Sequence, residues 1–285
     1  MRFAFAGIDF LGDVFETLLA KGWEPVKLFS RPCDSIYDFN DVTVSRARSL
    51  KLPIQMSRIY PSDLAGLKAM GCEVLVVAGY PWLIKGWEHH LPYAINFHPS
   101  PLPIGRGPYP LFQAVLDAVP EWGVTAHALE PAFDTGPIVA QKRFSLSPRE
   151  THDTLLAKCQ MAAKETALLL ADDLPRLWRE ARPQGLGSYW PRITQAQRTV
   201  DWSGSVQDAL RTIRAFGSIE AFAQVNSRYL YVWEASGWEE PHRYGPGTLV
   251  HKHRRHLVVA AGDGLVQITG WSPYSPGQAR RAQKT

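Results

Sequence analysis

The chain is short of the residues that build covalently or metal-stapled folds. Its 285 residues include 3 cysteines, Cys33, Cys72 and Cys159. They are far apart and odd in number, and they match neither a disulfide framework nor a zinc spacing. A reducing cytoplasm is the simplest setting for them. No segment approaches the roughly 18 uninterrupted apolar residues of a membrane span. The opening MRFAFAGIDF is too short and too strand-like for a secretory leader. A large excess of one charge is missing too, with 31 Lys+Arg against 27 Asp+Glu and a net of +4. The first 190 residues carry 19 basic against 20 acidic side chains, and the remainder carries 12 against 7. Part of that late excess sits in HKHRRH, 251–256. It reads either as a nucleic-acid footprint or as a strand–turn edge blunted by charge.

Several motifs are absent as well. AGIDFLG, 6–12, sets two glycines after a first strand, but it is neither GxGxxG nor a phosphate loop ending in GK[ST]. His89-His90 and HKHRRH lack the spacing or the acidic and thiol partners of common metal sites, so no metal is expected. No GxSxG elbow marks a serine hydrolase.

What is present is a globular composition, 45% hydrophobic and 20% charged, enough for one large or two smaller cores. Strand and helix patterns alternate up to about residue 180. RFAFAGI (2–8) reads as a first strand, followed by a helical stripe through Phe10, Leu11, Val14, Phe15, Leu18 and Leu19 that stops at Gly22. EPVKLFS (24–30) and PIQM (53–56) read as strands, with a helix in DVTVSRARSLKL between them. PSDLAGLKAMG reads as a helix capped by Ser62 or Asp63. EVLVVAGY (73–80) is apolar throughout, as a buried parallel strand is. YAINFH (93–98), WGVTAHAL (122–129) and IVAQKRFSL (138–146) are further strands, with a helix over 110–118. One long helix is predicted over 150–181, with Leu155, Cys159 and Ala162 on one side. The pattern predicts a doubly wound α/β domain over 1–183, with a mostly parallel, Rossmann-like sheet. A Pro/Gly-containing linker, 184–204, leads to a helix at 205–217 and short strands with glycine turns, GDG at 262–264 among them. That predicts a small β-barrel-like, OB-like domain over 205–285.

The stretch AINFHPSPLPIGRGPYP, 94–110, breaks this regularity. Its prolines exclude a helix or central strand beyond His98. Asn96 and His98 lie two apart, on one face of a strand end, where ligands of doubly wound sheets bind. FDTG, with Asp134, follows a neighbouring strand, and a carboxylate in such a turn can reach a histidine and raise its basicity.

At these residues the sequence resembles the folate-dependent formyltransferases. INFHPSPLP, RG, and GVTAHALEPAFDTGPIVAQ follow in order, and Pro101 stands where the family pattern has a leucine. YWPRITQAQRTVDW and IRAFGSIEAFA resemble the linker and first helix of the methionyl-tRNA formyltransferase carboxyl-terminal domain, so the likeness covers essentially the whole chain. The resemblance implies an N-formyltransferase that takes its formyl group from 10-formyltetrahydrofolate, without a metal. It implies that Asn96 and His98 donate N–H groups to the oxyanion and that Asp134 orients His98 and helps move the amine's proton. By the same resemblance Trp82, Leu83 and Ile84 line the pterin cleft, and the backbone of 129–134, with Leu129 and Phe133, binds the pterin. Without the resemblance Trp82 reads equally well as a core aromatic. Ser100 and Arg106 are the acceptor-side candidates, and Arg106 either holds an anion or anchors its own loop.

The acceptor is open at this level. In the methionyl-tRNA enzymes the loop after the second strand is long and basic. Here SRPCDSIYDFNDVTVSRAR, 30–48, balances Arg31, Arg46 and Arg48 with Asp34, Asp38 and Asp41. Backbone phosphates call for several net positive charges, so a small amine is expected rather than tRNA. The pattern is closest to the hydroxyornithine formyltransferases of siderophore pathways. Nucleotide-linked amino sugars, methionyl-tRNA, and water in a formyltetrahydrofolate hydrolase are the alternatives. Asp34 or Asp38 either holds an acceptor ammonium or is a solvated loop carboxylate. A non-catalytic folate binder would not need Asn96, His98 and Asp134 together.

Overall fold

A computed structural model describes residues 1–35 and 38–274. Ile36 and Tyr37 of the 30–48 stretch, and 275–285 of the expected second domain, lie outside the described residues. The contacts group 1–110, 121–145 and 156–191 into one unit, and 111–120, 146–155 and 192–285 into another.

The first unit is built on a seven-stranded sheet of order β3-β2-β1-β4-β5-β6-β7. Its strands are β1 (Arg2–Gly7), β2 (Glu24–Phe29), β3 (Ile54–Gln55), β4 (Val74–Ala78), β5 (Tyr93–His98), β6 (Glu121–Ala128) and β7 (Ile138–Ser145). The first five pair in parallel, and β6 and β7 run antiparallel. β4 is buried at every position, as a strand covered on both faces must be. The helices α1 (Asp13–Ala20), α2 (Asp41–Ser49) and α3 (Pro61–Ala69) connect the parallel strands. Neither Ser62 nor Asp63 is the cap of α3. Tyr60 occupies that position, Pro61 opens the helix, and Asp63 reaches back so that its Oδ2 accepts from the Tyr60 N–H at 2.9 Å. Arg46 and Arg48, at the end of the 30–48 stretch, lie on α2, the helix expected in DVTVSRARSLKL.

The predicted long helix is α5 (His152–Arg179), but its backbone leaves helical geometry at Asp173. Pro175 follows two residues later, and its ring and missing N–H interrupt the helical ladder. Leu155, Cys159 and Ala162 are buried as the stripe predicts.

The second unit holds a five-stranded antiparallel sheet of order β10-β11-β12-β9-β8. Its strands are β8 (Ala221–Val225), β9 (Arg228–Glu239), β10 (Leu249–His253), β11 (His256–Ala260) and β12 (Gly264–Pro273). GDG forms the β11–β12 hairpin turn. β9 is long rather than short, and register shifts around Gly270 on β12 let so long a pair coil. HKHRRH spans the end of β10, the turn and the start of β11 at the sheet edge, with all six residues exposed. α6 (Gln195–Arg198) is short, and α7 (Val206–Phe216) is capped by Ser205, whose side chain accepts from the Asp208 N–H. The stretches 111–120 and 146–155 group here for a visible reason. Phe112, in α4 (Pro110–Leu116), stacks on His152 at 4.8 Å and on Phe216 at 5.0 Å. Asp153 also accepts from the Ser218 hydroxyl at 2.6 Å and its N–H at 3.0 Å.

Candidate active site

β5 is the last of the parallel strands and the first to meet an antiparallel neighbour. Its register puts Asn96 beside Val77 of β4 and opposite His127 of β6. The Asn96 amide nitrogen lies 3.0 Å from His127 Nε2. His98, buried at the strand end, has Nε2 at 2.9 Å from the Gly105 carbonyl. A carbonyl only accepts, so this nitrogen carries a proton and donates it. His98 Nδ1 then faces Asp134 Oδ1 at 3.4 Å, and His127 Nε2 stands 3.7 Å from the same oxygen. His98 and His127 therefore flank one Asp134 carboxylate oxygen, and Asn96 joins the cluster through His127.

Asp134 is fixed from several directions. It occupies the left-handed region at φ 58, and its Oδ2 accepts the Gly107 N–H at 3.0 Å. Burial alone would raise its pKa, but His98, the Gly107 N–H and, when its Nε2 is protonated, His127 outweigh burial and hold it at about 2. Burial pushes His98 below the usual histidine value, against the pull of Asp134 and the Gly105 carbonyl. At neutral pH the pair is a carboxylate beside a neutral imidazole.

The proline-rich loop is braced from behind. Gly105 N–H donates to Ser188 Oγ at 2.9 Å, Arg106 N–H to the Ser188 carbonyl at 3.0 Å, and Trp190 N–H to the Arg106 carbonyl at 2.7 Å. Arg106 is an anchor: its Nε and Nη2 donate to Gln184 Oε1 at 3.0 and 2.8 Å. Gln184 Nε2 in turn donates to the carbonyls of Asp134 at 3.0 Å and Gly136 at 2.7 Å. Gly107 sits at φ 106, where a Cβ would come within 2.3 Å of the Trp190 carbonyl. Ser100 is 0% exposed and its Oγ has no hydrogen-bond partner. It packs beneath Gly105 and is not exposed to an acceptor.

The expected pterin walls divide. Leu83 and Phe133 are 39% and 48% exposed on the loops after β4 and β6. Trp82 is half-buried, edge-on to Tyr80 at 5.0 Å, and Leu129 packs against the same core. Ile84 is the exception: it is buried in the core cluster that also holds Leu91 and Ala94. Asp38 is not a free carboxylate, because it is buried and hydrogen-bonded to Arg31. No group of three or more metal-ligating side chains is found among the described residues.

Two residues were not visible from the sequence. His127 lies in a strand whose partner register cannot be read locally, and Gln184 falls in a stretch that reads as linker. No signal would have found Gln184. The only hint at His127 was the alternation of GVTAHAL.

Comparison with known proteins fits this geometry. The formyl transferase family model matches residues 39–171, and the model of the formyl transferase carboxyl-terminal domain matches 192–275. The chain is 26% identical to methionyl-tRNA formyltransferase of Idiomarina loihiensis, over 94% of this chain and 90% of that one. It is 27% identical to the Aromatoleum aromaticum protein of the same name, over 99% and 92%. Among solved structures, the N-formyltransferase of Helicobacter canadensis, in complex with folinic acid and dTDP-3-aminofucose, aligns with a TM-score of 0.69 at 16% identity, over 95% and 99%. HypX of Aquifex aeolicus in complex with tetrahydrofolic acid aligns with a TM-score of 0.67 at 19% identity, over 96% of this chain but only 44% of HypX. The chain belongs to the formyl transferase family and is a formyltransferase.

Proposed function

We propose that this enzyme moves the formyl group of 10-formyltetrahydrofolate to the nitrogen of a small amine or hydroxylamine in the cytoplasm, with N5-hydroxyornithine of a siderophore pathway as the leading acceptor. The observation that carries the transfer is the gathering of Asn96, His98 and Asp134 at the carboxyl end of β5. Bound formyltetrahydrofolate supplies the activated formyl group. Asn96 has a second amide N–H, beyond the one facing His127, to offer the formyl oxygen as charge develops there. His98, expected to donate to the oxyanion, instead has its Nε2–H committed to the Gly105 carbonyl and can take the amine's proton at Nδ1, where the Asp134 carboxylate stabilises the imidazolium. Trp82, Leu83, Leu129 and Phe133 would hold the pterin.

The small acceptor is supported by the stretch from the end of β2 through α2. Arg31 is paired with Asp38, and Arg46 is turned to Glu16 at 3.1 Å. Little positive charge is left there for a phosphate backbone. The competing reading is methionyl-tRNA, favoured by the relatives' names and by the exposed HKHRRH hairpin. An acceptor panel decides: N5-hydroxyornithine, nucleotide-linked amino sugars and methionyl-tRNA, with the tetrahydrofolate product followed by absorbance. Turnover with methionyl-tRNA alone overturns the small-acceptor reading. Release of tetrahydrofolate without any acceptor marks a hydrolase.

A further inference from the structure

We propose that His127 is a positioning residue for Asn96, acting as a tautomer-locked acceptor that sets which way the Asn96 amide faces. The inference rests on the reading that Asn96 donates to the formyl oxygen. It starts from the β5–β6 ladder, where the two residues are directly opposed. His127 is 2% exposed, and its Nδ1 lies 2.8 Å from the Ala128 carbonyl. That oxygen can only accept, so Nδ1 carries the proton and, in the neutral ring, Nε2 is left as a bare acceptor. The Asn96 amide group 3.0 Å away must then present its N–H. A reversed amide would set Oδ1 against the Nε2 lone pair with no proton between them.

The consequence is geometric. Asn96 would otherwise be a symmetric-looking amide at a strand end, able to offer either its oxygen or its nitrogen to a ligand. With one N–H spent on His127, the orientation is fixed and the second N–H is retained as a donor. Donors to a developing oxyanion act only when held in place before the reaction. Asp134 and His98 are the other titratable groups facing this ring, and Asp134 Oδ1 lies 3.7 Å from Nε2. A second proton on His127 would turn Nε2 into a donor toward Asp134 and leave the Asn96 N–H without its acceptor. The two arrangements exclude one another, so the neutral ring is the form that sets Asn96.

The test compares His127→Leu, His127→Gln and Asn96→Ala, each assayed for kcat and for the KM of the formyl donor. His127→Leu removes the acceptor and is expected to lower kcat about tenfold, with the donor KM within about twofold. His127→Gln can accept through Oε1 and is expected to recover most of that loss. In the Asn96→Ala background, His127→Leu should cost nothing further. A His127→Leu enzyme with normal kcat, beside a crippled Asn96→Ala enzyme, overturns the positioning role. Normal turnover by Asn96→Ala itself overturns the catalytic reading beneath it. Should His127→Leu fail to fold, nitrogen NMR of wild-type His127 decides: protonated Nδ1 with bare Nε2 is expected, and the opposite tautomer or an imidazolium at neutral pH overturns the proposal.

Discussion

Gln184 Nε2 donates to the carbonyl of Asp134 at 3.0 Å, from 50 residues further along the chain. The same amide accepts twice from Arg106. One side chain therefore pins the turn that carries the carboxylate to the loop that follows β5. Replacing Gln184 with Leu removes these part-buried bonds, each worth about 1 kcal/mol. The expected result is a lower melting temperature and a fall in kcat larger than any change in the donor KM. Gln184→Glu is a sharper probe. It keeps the acceptor for Arg106 but cannot donate to the Asp134 and Gly136 carbonyls, so stability should return further than kcat. Equal recovery of both would show that the clamp supports the fold alone.

Asp134 is better tested with asparagine than with alanine. Its φ of 58 is a backbone region that asparagine tolerates and alanine does not. Asp134→Asn should stay folded and lose most activity at every pH. The stability consequence has a definite sign. The folded-state pKa, about 2, is below the unfolded value, so ionisation favours the folded state. That contribution, on the order of 2 kcal/mol, is complete above the unfolded pKa near 4 and is lost as pH falls through the folded value. Urea titrations of wild type and Asp134→Asn should show a gap that narrows from pH 4 toward pH 2. A pH-independent gap would remove the carboxylate's charge from the account.

The local signals explain what could be read in advance. β4 and β5 show their burial and length in their own residues, and Asn96, His98 and Asp134 stand in short motifs that carry the family resemblance. His127 belongs to the same cluster through an antiparallel register with Asn96, 31 residues earlier, and no local pattern carries that information. Gln184 is remoter still. The break in α5 was written in Pro175, but the apolar stripe from Leu155 onward suggested continuity. Ile84 and Ser100 show the opposite failure. Both sit inside motifs that resemble binding elements, and both are taken up by packing.

The basic hairpin separates the acceptor readings by salt dependence. Arg254 and Arg255 are exposed at the β10–β11 turn, and Trp271 Nε1 binds only the backbone carbonyl of Arg255. Exchanging both arginines for serine should spare the fold. With a small acceptor, KM and kcat should stay within about twofold at any ionic strength, because exposed, screened charges contribute little. A methionyl-tRNA acceptor would instead bind more weakly and with a shallower salt slope.

Gly136 carries the last prediction, and it explains the glycine of the FDTG turn. A Cβ there would lie 1.8 Å from the Ala128 carbonyl oxygen, a backbone atom that cannot move aside cheaply. That oxygen accepts the His127 Nδ1–H, and the Gly136 carbonyl accepts from Gln184. Gly136→Ala should thus disturb the His127 lock and the Gln184 clamp together. Overpacking of this kind costs about 1–3 kcal/mol, so the protein should fold with a lower melting temperature and a kcat loss exceeding that of His127→Leu alone. Gly185→Ala is the matched control: nothing lies within 4 Å of its Cβ position. Normal activity in both variants would mean that the turn adjusts freely and that the close approach at Gly136 does not constrain the site.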